Sequence, residues 1–504
     1  MKKTVRLQVK NFMVNMLLPI VTGSIFLMLY LGFCYRMPMN QIFAPNTTWN
    51  DDALYYKQLS SVVECGYPRG YFGYNESHAA IGSFGTWGPV LFYIYAVPAS
   101  IIGITPNMML ICNIIFILAG WAVFVNCTEI SWKQQVLIAL MISFMQLPVR
   151  YVMSGMSEAL GYAIIMMLIG ISYAEWQHRR LYREICLISL AVIYTLIRPY
   201  GIVFLIFPIM IFMRRKNYKA MAFSCLAGAG AFALSVFFMR RLSAPYLYSS
   251  ISNEGLQLIF SGHIVKGCIV YLHLLVQEMR QAVLYIFEDC QKGEGLAGIV
   301  YADTILLVFI LVVCMAIGNR KNRKNYLKTE ILLTTLFIFL TISSFYSVYQ
   351  GARHMLILGI GLVDVLVIEN REAAVWAAIG MFFIYLGIKW EEPRYPLRYE
   401  EVTAQALRQY ADMFAGLLPV HKDGRISWDN TIAYDMSMDV RWMYCITDGM
   451  GIQYDEADYL ENPENEIKAR YVMTCQDSKA CERLMAEEYE IIMETDDFLV
   501  FERD

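Results

Sequence analysis

The chain has 504 residues, of which 57% are hydrophobic and 17% are charged, and its mean hydropathy is +0.44. This apolar content exceeds what a soluble globular protein needs, so the composition predicts a polytopic α-helical membrane protein. The formal net charge is −3, and without a basic excess nothing points to nucleic acid as a partner.

The first membrane-length apolar run covers Phe12–Tyr35 and follows Lys2, Lys3, Arg6 and Lys10. The run is too long for the apolar region of a signal peptide, and no small-residue cleavage site follows it. We therefore expect a retained first span whose basic N-terminal flank is cytoplasmic.

The span count follows from the positions of the basic clusters. The short run Val90–Ile102 contains Pro98 and is expected to be a re-entrant or interfacial helix. With that choice, the clusters at 178–183, 214–216 and 320–328 all fall on the cytoplasmic side. The ten further predicted spans are 108–125, 135–152, 159–174, 185–197, 200–213, 220–239, 299–317, 330–346, 355–368 and 373–388. The sequence thus predicts about eleven transmembrane helices in a plasma-membrane protein, with the C-terminus outside.

Three segments are predicted to lie outside the membrane on the outer face. Two are outer loops, at 37–89 and 240–297, the second with an amphipathic interfacial stretch at 264–287. The third, 391–504, has mixed and acidic composition and predicts a small α/β domain: a helix at 400–417, a strand at 471–475, a helix at 478–488 and a hairpin of 490–494 with 499–502. Its Cys475 and Cys481 could pair, although spacing alone does not fix connectivity.

The acidic pair Asp51-Asp52 follows the first span directly. Capping of a helix predicted at 52–64 would explain the pair, because acids are favoured at a helix start. The alternative is that one of the two is a general base, because a carboxylate beside a membrane cavity can take the proton of an attacking hydroxyl. We favour the second interpretation because aromatic residues crowd the same loop. Tyr55, Tyr56, Trp87 and Arg69 are the predicted substrate-lining residues.

Glu158 opens the span that follows the second outer turn, Ser154–Ser157. It is either a helix-start acid or a second acid of the same cavity, where it would bind a metal or sugar hydroxyls. The predicted catalytic set is therefore Asp51, Asp52 and Glu158. No metal ligands are assigned, and the participation of a divalent cation is left open.

Cations stand at the outer ends of other spans. Arg198 separates two short spans, and Arg353-His354 opens a late one. Snorkelling of each side chain to the interface would explain any one of them. Together they predict a phosphate site, because the planar guanidinium matches phosphate geometry.

The order of these features resembles the GT-C superfamily of membrane glycosyltransferases, in the branch of protein O-mannosyltransferase-like and aminoarabinose transferase-like enzymes. The residues that carry the resemblance, spread over about 1–390, are the acidic pair Asp51-Asp52, the Gly88–Tyr95 segment, Glu158, Arg198 and Arg353-His354.

The resemblance implies a GT-C-like fold and a polyprenyl-phosphate-linked sugar donor that enters from the outer leaflet. Asp51 or Asp52 would act as base, and a glycan, lipid or protein acceptor would attack the anomeric carbon. The lipid phosphate would leave with inversion, and Arg198 and Arg353 would stabilise its charge.

Two other functions compete with a lipid-linked sugar transferase. A transporter or flippase would place charged groups near mid-membrane and use repeated broken spans, whereas the acids and cations here stand mainly at span ends. A polymerase or ligase of the O-antigen type would also use outer arginines. We would not expect such an enzyme to carry this acidic pair or a folded C-terminal tail.

Overall fold

The computed structural model describes residues 17–29, 50–67, 72–73, 75, 84, 87–145, 148, 151–242, 254–292, 311–313, 326–345, 348–390, 404–417, 428–448 and 450–503. Seventeen α-helices of at least five residues are present in these ranges. They are α1 Leu17–Leu29, α2 Asn50–Cys65, α3 Val90–Ile102, α4 Met108–Thr128, α5 Trp132–Phe144, α6 Glu158–Gln177, α7 Leu181–Ile197, α8 Ile206–Arg214, α9 Tyr218–Arg241, α10 Glu254–Phe260, α11 Ile264–Lys292, α12 Tyr326–Phe345, α13 Val348–Glu369, α14 Arg371–Trp390, α15 Ala404–Leu417, α16 Ala457–Glu461 and α17 Lys479–Ala486.

Three of the described helices, α4, α6 and α9, are long and apolar enough to cross a membrane. Their apolar side chains and those of α3, α5, α7 and α13 form one continuous buried cluster. This cluster is the core of a helical membrane region, and it brings the ends of several helices together.

The two ends of the α6 helix carry different sets of charged contacts. Its first residue, Glu158, lies at the end where Arg198 and Arg353 converge. At its other end Glu175 pairs with Arg215, which also pairs with Glu184 at 2.8 Å. Two of the basic clusters predicted to be cytoplasmic therefore lie together, at the opposite end of α6 from the acidic pair.

Five strands of the C-terminal region and one strand from the segment after α2 form a six-stranded sheet. The strands are β1 Phe72–Gly73, β2 Thr431–Asp435, β3 Gly451–Asp455, β4 Tyr471–Thr474, β5 Glu490–Glu494 and β6 Leu499–Glu502. Their order in the sheet is β1-β3-β2-β4-β6-β5. Strands β1, β3, β2 and β4 run parallel to one another, and β6 is antiparallel to both of its neighbours, β4 and β5. The first strand belongs to the segment 37–89, which the sequence predicts to be an outer loop, so this segment and the C-terminal region share one sheet and lie on the same side of the membrane.

The α2 helix packs against both the membrane helices and the C-terminal region. Tyr55, Leu59 and Val62, spaced four and three residues apart, lie on the face that joins the membrane cluster. Ala53 and Tyr56 lie on another face and join the core of the C-terminal region. The helix that begins with the acidic pair is therefore held between the two.

The structure confirms several predicted elements and adds others. Helix α3 has the predicted bounds, and the helices and hairpin expected in the tail are present as α15, α17, β5 and β6. The parallel strands β2 and β3 and the contribution of β1 were not predicted. Cys475 and Cys481 are both free thiols, so the disulfide considered for them is not formed. The predicted span at 299–317 lies outside the described residues except for 311–313.

Candidate functional site

The acidic pair is split between two faces of α2. Successive residues of a helix are rotated by about 100°, so Asp51 shares a face with Tyr55, and Asp52 shares one with Tyr56. The Asp51 side chain is 40% exposed, and its Oδ2 lies 3.3 Å from Nη1 of Arg353. The Asp52 residue is only 1% exposed. Asp51 is therefore the member of the pair that solvent can reach.

Asp52 is enclosed by the turn before α6. A Cβ placed on Gly155 would come within 3.0 Å of the Asp52 Cβ and 3.1 Å of its Cα. The charge of Asp52 also acts on Tyr444 of the C-terminal region, where burial is the main cause that raises the tyrosine pKa. These contacts give Asp52 a packing role between the membrane helices and the C-terminal region.

The turn that carries Glu158 is fixed by Asn113 of α4. The Asn113 Nδ2 group donates to the carbonyls of Ser154 and Met156 at 2.9 and 2.8 Å, and Tyr95 donates its hydroxyl to Asn113 Oδ1 at 2.6 Å. Because Asn113 is completely buried, these bonds satisfy carbonyls that have no access to water. Helix α6 therefore starts at a defined place, with Glu158 in its first turn.

Arg198 lies at a break in the helical chain. Helix α7 ends at Ile197 and a 3₁₀ helix, Pro199–Leu205, follows, because proline cannot continue the helix. Arg198 Nη2 donates to Ser157 Oγ at 3.1 Å and lies 3.5 Å from Glu158 Oε1. The guanidinium carbon is 4.2 Å from the ring centroid of Trp87, which gives a cation–π contact.

Arg353 and His354 enter the site from the first turns of α13. Arg353 bridges two acids, with Nη1 at 3.3 Å from Asp51 and Nε at 3.7 Å from Glu158. His354 is 2% exposed, and its Nδ1 lies 3.3 Å from the hydroxyl of Tyr200. The His354 ring also meets the Trp87 ring edge-on, with centroids 5.9 Å apart. The four predicted groups Trp87, Arg198, Arg353 and His354 therefore converge.

Four charges thus form a continuous chain in the order Asp51, Arg353, Glu158 and Arg198, with no step longer than 3.7 Å. Within the described part of the chain, Glu158 Oε2 and Arg198 Nη1 are buried and have no hydrogen-bond partner. Buried polar atoms are normally satisfied, so these two have unused capacity to bind a ligand. They border a small cavity of about 10 Å³, also lined by Tyr162, Tyr194, Tyr200 and Arg353.

Of the two tyrosines predicted to line the substrate, Tyr55 lies near the charged cluster. The charges of Asp51, Arg198, Arg353 and Glu158 all act on Tyr55, and burial raises its pKa to about 12, so its hydroxyl stays neutral. Tyr56 points the other way and stacks near Tyr444, with ring centroids 4.8 Å apart. Arg69, the other predicted lining residue, lies outside the described residues.

A large apolar groove lies beside the site, among the membrane helices. It has a volume of about 420 Å³ and is lined by residues of α1, α4, α5 and α6, among them Phe26, Leu118 and Trp121. Tyr162 of α6 lines both this groove and the small polar cavity. Its buried hydroxyl has no hydrogen-bond partner in the described part of the chain. Tyr162 therefore lies between the apolar groove and the charged cluster.

Sequence reasoning missed Tyr162, Tyr200, Ser157 and Asn113. Tyr162 follows Glu158 by four residues and so shares its helix face, which is the signal that points to it. Tyr200 and Ser157 are close in sequence to Arg198 and Glu158. Asn113 carries no such signal, since it is a single polar residue within an apolar helix.

Comparison with known proteins gives little beyond these observations. No family model matches the chain, and no curated protein matches it. Two solved structures of ArnT from Cupriavidus metallidurans are similar. The structure bound to undecaprenyl phosphate is 10% identical, with a TM-score of 0.48, and the similarity covers 95% of this chain and 97% of that one. The apo structure is 11% identical, with a TM-score of 0.42, over 96% and 97% of the two chains. Similarity this low carries no functional weight, so the function below rests on the residues of this chain.

Proposed function

We propose that this chain is a membrane glycosyltransferase that moves a sugar from a polyprenyl-phosphate-linked donor to an acceptor at the outer face of the membrane. The observation that carries the proposal is the chain of charges from Asp51 through Arg353 and Glu158 to Arg198. A partly exposed carboxylate at one end, and beyond it one half-buried guanidinium (Arg353) and one buried guanidinium (Arg198), are the features that such a transfer needs.

The donor phosphate is assigned to Arg198 and Arg353. A guanidinium binds phosphate oxygens with paired hydrogen bonds, and Arg198 Nη1 is available to do so. Trp87 and Ser157 hold the Arg198 side chain in place, so little reorganisation is needed when the phosphate arrives. In this proposal the guanidinium groups stabilise the charge of the departing phosphate, and no step is assigned to a divalent cation.

The lipid tail of the donor is assigned to the apolar groove. A polyprenyl chain needs a long apolar surface beside a polar headgroup site, and Tyr162 lines both the groove and the small polar cavity. The free Tyr162 hydroxyl is in position to donate to an oxygen at the junction of tail and phosphate.

Asp51 is assigned as the general base, in preference to Asp52. Its side chain is accessible, and the ion pair with Arg353 holds the carboxylate at the accessible end of the charged cluster. The acceptor oxygen forms a bond to the anomeric carbon as its proton passes to Asp51. The bond from that carbon to the phosphate oxygen breaks, and its electron pair leaves with the polyprenyl phosphate, so the configuration at the anomeric carbon inverts.

The test uses the full-length protein in lipid nanodiscs with a panel of polyprenyl-monophosphate hexoses, pentoses and amino sugars, together with a membrane extract as the acceptor source. We expect release of free polyprenyl phosphate from at least one donor, with the sugar recovered on an acceptor. Movement of an intact donor between leaflets of proteoliposomes without release would instead identify a flippase. No release from any donor would overturn the proposal.

A further inference from the structure

The C-terminal region holds α2 through a buried polar contact far from the charged cluster. Lys57 of α2 is 9% exposed, and its Nζ lies 3.2 Å from Oδ1 of Asp448. Lys57 also donates to the carbonyl of Ile446, and Ser60 donates its hydroxyl to the other oxygen of Asp448. Asp448 therefore receives two donors from successive turns of one helix.

Other contacts restrain the same outer loop. The rings of Tyr56 and Tyr444 pack together beside this contact, and β1 adds to the edge of the sheet by pairing with β3. Just after β1, Asn75 accepts a hydrogen bond from the Glu456 backbone amide at 3.0 Å. The loop is thus fixed at its helix and at its strand, and Asp448 is the residue of the C-terminal region that pairs with both Lys57 and Ser60 of the helix.

The residues that contact Asp448 lie on the same helix as the acidic pair. Asp52, Tyr56 and Ser60 are spaced by four residues and lie on one face of α2, about two turns along the helix. A helix of this length moves as a rigid unit, so its tilt and rotation at Ser60 set the location of its first turn. Asp51 lies there, and its reach to Arg353 is 3.3 Å, which a small rotation would break.

We propose that Asp448 is a positioning residue: from the C-terminal region it fixes the orientation of α2 so that Asp51 stays within reach of Arg353. The proposal rests on the proposed function for the consequence in turnover, and on the contacts of Lys57 and Ser60 for the positioning itself. It gives the C-terminal region a role in the reaction without contact to the substrate.

The test compares Asp448→Asn with wild type in nanodiscs, with Asp448→Glu as the conservative variant and Asp477→Asn, an exposed acid of the same region, as control. Two readouts are measured: kcat and KM for the donor, and hydrogen exchange of peptides covering 50–65 and 471–502. We expect Asp448→Asn to lower kcat about tenfold, leave the donor KM within about twofold, and speed exchange in 50–65 about tenfold. Exchange in 471–502 is expected to be unchanged, and Asp448→Glu is expected to recover much of the loss.

Ser60→Ala provides a second variant that removes one bond to Asp448 without leaving a buried charge, and we expect changes in the same direction but smaller. Unchanged exchange in 50–65, or an unchanged kcat, in Asp448→Asn would overturn the positioning role. Should the wild type itself transfer no sugar, the proposed function fails, and the exchange measurement alone then decides whether Asp448 holds α2.

Discussion

Asp51 and Arg353 are 302 residues apart in the sequence, yet Oδ2 of one lies 3.3 Å from Nη1 of the other. The contact joins the first outer helix to the beginning of α13 and closes the charged cluster on its accessible side. The proposed reaction depends on this ion pair, because it places the proposed base, Asp51, beside Arg353, one of the two arginines assigned to the donor phosphate.

The two arginines give the first prediction. Arg198→Lys and Arg353→Lys keep the charge but lose the planar fork, so we expect each to lower the rate of donor cleavage about a hundredfold to a thousandfold. The measurement is release of polyprenyl phosphate from a reactive donor. Arg470→Lys alters an arginine paired with Glu502 in the C-terminal region and serves as control. A lysine variant at Arg198 or Arg353 with near wild-type rate would remove that arginine from the phosphate site.

Glu158 gives the second prediction. It shares one oxygen between Arg198 and Arg353, so it competes for the groups assigned to the phosphate. We expect Glu158→Gln to bind polyprenyl phosphate about fivefold more tightly, because neutralising a nearby carboxylate strengthens the attraction for an anion. Binding is measured by titration of polyprenyl phosphate into nanodiscs. Weaker binding in this variant would show that Glu158 itself supports the ligand.

Asn113 gives the third prediction. Replacing it with leucine leaves the carbonyls of Ser154 and Met156 and the hydroxyl of Tyr95 without this partner, at a cost of about 1–3 kcal/mol for each buried group. We expect a lower thermal unfolding midpoint and slower donor cleavage, since the turn before Glu158 loosens. The matched control is Asn126→Leu on the same helix, where the side chain donates to the Ala122 carbonyl one turn away. Equal midpoints for both variants would contradict this role of Asn113.

Gly155 gives the fourth prediction. Alanine at this position would press its Cβ against Asp52, with 3.0 Å to the nearest atom, so either the turn or the start of α2 must shift. We expect Gly155→Ala to slow donor cleavage about tenfold or more, in line with the effect of small displacements of a reacting group. Gly230→Ala, where no atom lies within 4 Å of the added Cβ, is the control and should behave as wild type. Wild-type activity in Gly155→Ala would mean that Asp52 tolerates displacement.

Much of the site could be predicted from charge alone. Asp51, Glu158, Arg198 and Arg353 stand at the ends of apolar runs that are predicted to lie on one face of the membrane, so their charges could meet in one site. The pattern of charges could not show which member of the acidic pair is exposed and which is enclosed. That difference follows from the rotation of α2 and from the turn at Gly155, both of which depend on packing between distant segments.

The uncharged parts of the site were not predictable in the same way. Tyr162 is one of 34 tyrosines, and its position between groove and cavity arises only when α1, α4, α5 and α6 assemble. In the C-terminal region, the hairpin of β5 and β6 has a turn at Asp496-Asp497 that the sequence reveals. Strands β2 and β3 are buried along their whole length, so they show no alternation, and their parallel pairing is set by contacts far apart in sequence.

The most direct test of the central claim is the single-turnover rate of donor cleavage in Asp51→Asn, measured together with its affinity for polyprenyl phosphate. If Asp51 is the base, the rate falls by about a hundredfold to ten-thousandfold while the affinity stays within about threefold of wild type. Asp52→Asn, measured in parallel, should cleave the donor faster than Asp51→Asn. A rate in Asp51→Asn within about threefold of wild type would contradict the assignment of Asp51 as the base.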